Sequence, residues 1–236
     1  MNMTEKQNAL FSEWKKKEPG LVTDGVIDEQ QYLKAPVRIC FLLKEVNGGE
    51  DWDLCDFVRK GGRAQTWNNI SRWVYGIYHS GRDIPWTDLQ DIDNAFRQDY
   101  LQSICVVNVK KRSGKSEADN GLVYRAGERY RDQLRKQLEI YDPQVLICCG
   151  TADSYFDFIT EFEDPQWQTT SRGIWYVREP TGRLVISYAH PEARARDNLL
   201  YYGLIDAYRE IIYGKGLPAS YTHLRAHETL MHLVCR

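Results

Sequence analysis

Residues 104–112 read Ile104-Cys105-Val106-Val107-Asn108-Val109-Lys110-Lys111-Arg112: an apolar, largely β-branched run with one asparagine near its end, then a cluster of cations. Such a run is a buried strand, and its last residues lie at the strand's carboxyl end. Other runs share the pattern. Val37–Leu43 is bounded by Pro36 and the Asn47-Gly48-Gly49 turn, Val145–Cys149 is closed by Gly150, and Leu184–Tyr188 forms a hairpin with Ile174–Val177 around Pro180-Thr181-Gly182. Apolar residues at helical spacing predict helices over Thr4–Lys17 (capped by Thr4), Ala64–Tyr78, Trp86–Tyr100, Glu117–Tyr141, Ala152–Phe162 and Pro191–Tyr213, with Trp52–Gly62 a loop or short helix. Strands alternating with helices give an α/β fold: a three-layer sandwich whose central, mainly parallel four-stranded sheet carries helices on both faces.

A chain of 236 residues can fill one core, so residues 1–216 read as a single domain. No run approaches the roughly 20 apolar residues of a membrane span, and the first residues lack the form of a secretory signal. A cytoplasmic, monomeric protein is expected. The six cysteines sit mostly in apolar runs without any CxxC pair, which disfavours both a disulfide framework and a zinc ribbon. Residues 217–236 break the pattern. They hold His223, His227, His232 and Cys235, but resemble translated sequencing-adapter read-through more than a metal site, so the tail is expected to be peripheral and no metal is assigned.

A formal charge of -2 excludes a protein held on nucleic acid by a global positive field. Local clusters remain: Lys110, Lys111, Arg112 and Lys115; Arg194 and Arg196; Arg59, Lys60 and Arg63. Each alone reads as a solvated face. In open α/β sheets, however, ligands bind at the carboxyl rim, and that rim carries Glu45 and Asn47 from Lys44-Glu45-Val46-Asn47-Gly48, Asn108 from the second strand, and His190 from Ser187-Tyr188-Ala189-His190-Pro191-Glu192-Ala193.

Here the chain resembles the uracil-DNA glycosylase superfamily over roughly residues 36–213. VVNVKKRSG is similar to that family's Asn-Val-x-Lys segment, DPQVLICCGT to its Pro-x-Val-x-x-x-x-Gly strand, and SYAHPEA to its His-Pro-Ser motif. The first motif departs from the pattern, since the family's proline is absent from Lys44–Gly48. The resemblance implies a monofunctional DNA glycosylase that hydrolyses the N-glycosidic bond of uracil or a modified pyrimidine, for instance a modified cytosine of viral DNA, and leaves an abasic site. It implies catalytic roles for Glu45 or Asn47, of which Glu45 is favoured for orienting water, and for His190 as donor to the departing base. Asn108 would read the base edge and Phe57, with Trp52 and Trp67 behind it, would stack on it. Lys110, Lys111, Arg112, Arg194 and Arg196 would bind DNA, with Ala193 and Arg194 in the loop where relatives insert a wedge. No iron–sulfur cofactor is implied, because no cysteine precedes Cys40.

The chemistry accounts for these residue types. Glycosidic cleavage builds positive charge on the sugar and negative charge on the leaving base, so it needs a carboxylate or oriented water on one side and donors on the other. Lys44 is the rim amine that could instead form a Schiff base. The rival from another class is a non-catalytic nucleic-acid or nucleotide-binding module. A nucleotide hydrolase ranks below both, since Asn47-Gly48-Gly49 lacks the lysine and hydroxyl of a P-loop.

Overall fold

The computed structural model describes residues 1–114 and 118–214. In chain order it places α1 (Met3–Lys17), β1 (Gly25–Val26), α2 (Glu29–Lys34), β2 (Ile39–Asn47), α3 (Leu54–Arg59), α4 (Ala64–Tyr78), a 3-10 turn (Trp86–Asp88), α5 (Asn94–Leu101) and β3 (Ile104–Gly114). There follow α6 (Asn120–Arg129), α7 (Arg131–Tyr141), β4 (Val145–Cys149), α8 (Ala152–Ser154) running into a π-helical turn (Tyr155–Ile159), β5 (Gln168–Thr169), β6 (Trp175–Arg178), β7 (Leu184–Tyr188) and α9 (Asp197–Tyr213).

The fold is α/β, and its sheet is larger than the four strands expected. Seven strands run in the order β1-β3-β2-β4-β7-β6-β5, and the sheet is mixed. The pairs β3–β2, β2–β4 and β4–β7 are parallel, whereas β1 and the β6–β5 pair add antiparallel edges. Strands of two residues, such as β1 and β5, are too short to show an alternation in sequence.

Side-chain alternation splits the core between the two faces. Phe41, Leu43, Val106 and Ile147 pack with Ile70, Trp73 and Ile77 of α4 and Leu204 and Ile205 of α9. Leu42, Val107, Val109 and Leu146 pack with Phe11 and Trp14 of α1, Val123 of α6 and Leu134 and Leu138 of α7. Cys40, Cys55, Cys105, Cys148 and Cys149 are buried free thiols, and Cys235 lies outside the described residues. Among the described residues, no helix is long and apolar enough to cross a membrane.

Several boundaries differ from the sequence expectation, each for a local reason. Asn2, not Thr4, caps α1, in a reciprocal pairing with Glu5, while Thr4 bonds Glu29. The segment expected as one helix over 117–141 is two, broken where Tyr130 leaves helical geometry and sets its ring edge-on to Trp14. The segment 86–100 divides likewise, with Asp93 capping α5. Finally, α9 begins at Asp197 and not at Pro191. Asn69 Nδ2 donates to the Pro191 carbonyl and to Asp197, and Arg72 Nη1 donates to Asp197, so residues 191–196 are pinned as a loop on α4.

Candidate active site

β2 and β3 continue beyond the ends of β4 and β7, so the segments expected to follow these strands are themselves strand. In the resulting two-stranded arm Glu45 lies opposite Lys110, and the register then shifts, so that Asn47 lies opposite Gly114. It forms one wall of a cavity of about 460 Å³. A second wall comes from α3 and the start of α4 (Leu54, Phe57, Arg63, Thr66, Trp67), and a third from the β7–α9 loop through His190 and Glu192.

Glu45, Asn47, Phe57, Asn108 and His190 all line this one cavity, together with Trp52, Trp67 and Lys44. Glu45 is 7% exposed at its side chain, and Lys110 Nζ donates to its Oε2 at 2.5 Å. A Cβ at position 114 would overlap the Glu45 carboxyl, so only glycine there lets the carboxylate lie against β3. Asn47 is exposed at the mouth. Trp52 anchors its indole N–H on the Gly49 carbonyl and meets Phe57 edge-on at 5.8 Å, while Phe57 is 41% exposed. Lys44 Nζ donates to Asn120 Oδ1 at 2.9 Å.

His190 has a defined tautomer. The backbone N–H of Glu192 donates to its Nδ1, which leaves Nε2 as the protonated nitrogen of the neutral ring. Burial pulls the imidazole below its ordinary 6.5, outweighing the nearby Glu192 carboxylate, and the Lys44 charge acts in the same direction as burial. Glu192 in turn accepts from Thr66 Oγ1 and from Arg63 Nη2. Burial pushes its carboxyl up, but the Thr66 and Arg63 bonds together hold it below the usual glutamate range. The loop bearing His190 is thereby tied to the start of α4.

Asn108 is held by a group with no motif in the sequence. Asp24, just before β1, accepts from Asn108 N at 2.7 Å and from Asn108 Nδ2 at 3.3 Å. The same carboxylate accepts from Lys111 Nζ and Gln137 Nε2. Lys111 is therefore a core residue, which corrects its assignment to DNA: its side chain is 0% exposed and sits over the rings of Phe11 and Trp14. Burial pulls its ammonium below 10.5 against the pull of Asp24. Lys110 is likewise committed, to Glu45, so it is not an outward phosphate contact. Arg112 donates to the Pro19 carbonyl at 2.8 Å and faces Glu18, along the outer edge of β3. Arg194 and Arg196 are exposed in the loop after His190. Lys115 and the tail histidines lie outside the described residues.

The chain matches no family model and no curated protein. Among the described residues, no group of three or more histidine, cysteine or acidic side chains could hold a metal ion. The arrangement combines a carboxylate, a neutral imidazole N–H, a fixed amide and an aromatic wall. That set can place a planar, hydrogen-bonding ring and act on a bond at its edge.

Proposed function

We propose that the cavity removes a base from DNA, the protein being a monofunctional glycosylase of the uracil-DNA glycosylase superfamily that acts on uracil or a modified pyrimidine. The observation that carries this reading is the convergence of Glu45 from β2, Asn108 from β3 and His190 from the loop after β7 on one cavity. The target nucleotide is flipped into the cavity, where Phe57 stacks on the ring and Asn108 meets its edge. Glu45 orients the attacking water and stabilises positive charge on the sugar. His190 donates from Nε2 to the departing base, and its neutral form suits a donor that need not lose charge as the base becomes anionic. Arg194 and Arg196 engage phosphates beside the flipped nucleotide. No cofactor takes part.

The test is incubation with an oligonucleotide holding one uracil, or one modified cytosine, followed by alkali. Alkali-labile product that forms about 10²-fold or more slowly in Glu45→Gln and His190→Ala is expected. The second reading, a binding module without turnover, is favoured by one observation: Glu45 is already ion-paired with Lys110 and covered by Gly114. Tight binding with no labile product from any such DNA supports that reading instead.

A further inference from the structure

Asn108 is the one residue among those described that both lines the cavity and carries a buried polar atom without a partner, its Oδ1. An amide can present either end to a ligand, so what fixes its polarity matters. Here the fixing group is Asp24. Its carboxylate is an acceptor only, and it receives both the backbone N–H and the side-chain Nδ2 of Asn108. A flipped amide would set Oδ1 against a carboxylate oxygen, a repulsive contact in a buried setting. Asp24 is itself held by Lys111 and by Gln137, and Gln137 Nε2 also meets the Tyr141 hydroxyl at 3.0 Å.

We propose that Asp24 is a positioning residue that sets the hydrogen-bonding polarity of the cavity, making Asn108 Oδ1 a fixed acceptor that selects bases presenting an N–H at that point. This rests on reading the cavity as a base pocket and narrows its substrates to rings whose edge offers an imide N–H, as in uracil, or an exocyclic amine, as in cytosine and its derivatives. An unmet buried acceptor disfavours every ligand that lacks the donor.

The test measures binding, separately from base release. Oligonucleotides carry 2′-fluorinated deoxyuridine or its N3-methyl derivative in one arm, and 2′-fluorinated deoxycytidine or its N4,N4-dimethyl derivative in the other. The wild-type chain is expected to prefer the unmethylated base by at least about tenfold in one arm, which identifies the donor. A methyl group also adds bulk, so two paired variants separate the causes. Asp24→Asn/Lys111→Met keeps an acceptor for Asn108 and should keep the preference. Asp24→Leu/Lys111→Met removes it while avoiding an unpaired buried lysine, and the preference should fall to within about twofold, whereas a steric effect would persist. Equal affinities in both arms for the wild type overturn the proposal, whether or not the variants fold. So does a preference unchanged in Asp24→Leu/Lys111→Met. Discrimination without any base release leaves the proposal standing and removes the glycosylase reading.

Discussion

The backbone N–H of Glu192 lies 3.2 Å from Nδ1 of His190 and donates to it, fixing a ring that sequence alone leaves free to carry its proton on either nitrogen. Because Glu192 is in turn gripped by Arg63 and Thr66 from α4, the donor at Nε2 is held by two elements at once.

This gives a pH dependence with a definite sign. The His190 pKa is lowered in the folded protein, so the neutral, Nδ1-accepting form persists below pH 6.5 and base release should hold its rate down to below that value. As pH falls through 6.5 the unfolded chain takes up the proton first, so this residue makes the fold less stable with acidification. An NMR titration of the His190 ring beside the pH–rate profile checks both. His190→Ala should lower the single-turnover rate about 10²- to 10³-fold, the usual cost of one donor to a developing anion.

Glu45→Gln should reduce base release by about 10²-fold or more while leaving a folded protein, since the amide is isosteric. Lys110→Met should reduce it as well, because the ammonium at 2.5 Å holds the carboxylate in place. Single-turnover rates with circular dichroism controls measure both. A rate unchanged in Glu45→Gln would shift the water-orienting role to Asn47.

The Asp24–Lys111 pair is buried at both ends, with side chains 1% and 0% exposed. Removing either partner alone strands a charge, and Asp24→Ala or Lys111→Ala should each cost about 3–5 kcal/mol, whereas replacing both with apolar residues of similar size should cost far less than the sum. Denaturant titrations of the three variants close the cycle.

Phe57 is half out in solvent, so truncating it should barely affect folding but weaken binding of a flipped base by about 1–3 kcal/mol, the range for a base stacked on an aromatic ring. Affinity for a 2′-fluorinated substrate analogue, compared between wild type and Phe57→Ala, reports this.

Arg196→Ala should lower the slope of log affinity against log salt by about one, as expected for one lost phosphate contact. Lys111→Met should leave that slope alone, because its ammonium faces Asp24 and not the surface.

The contrast between Asn108 and Lys111 shows what could be read in the chain and what could not. Ile104–Val109 announces its strand through β-branched residues, and the asparagine interrupting it stands out as a candidate because a polar group in a buried run demands a partner or a use; it lines the cavity. The cations that follow look alike by composition. Yet β3 runs on to Gly114, and a strand alternates faces: Asn108 lines the cavity and Lys110 meets Glu45, while Lys111 turns to the opposite face, over Phe11 and Trp14. Extending the strand by its period would have separated them. Asp24 left no such trace, since a lone acid before a two-residue strand looks like any turn residue, and its partners Asn108, Lys111 and Gln137 are remote in sequence. Arg63 and Thr66 were equally unmarked as the anchors of Glu192. The helices α4 and α9 are legible from their apolar spacing, but the loop at 191–196 is not, because what delays the start of α9 to Asp197 is a contact with Asn69 and Arg72 from α4.

The most direct test of the account is release of free base from DNA. The purified 236-residue chain is incubated with uracil-containing DNA and with DNAs bearing modified cytosines, and the small-molecule fraction is analysed by mass spectrometry. The account predicts one liberated pyrimidine matched by an equal yield of abasic sites, with no borohydride-trapped protein adduct through Lys44 and with release slowed by about 10²-fold or more in Glu45→Gln and His190→Ala. Intact glycosidic bonds in every DNA tested, with a folded protein, would contradict it.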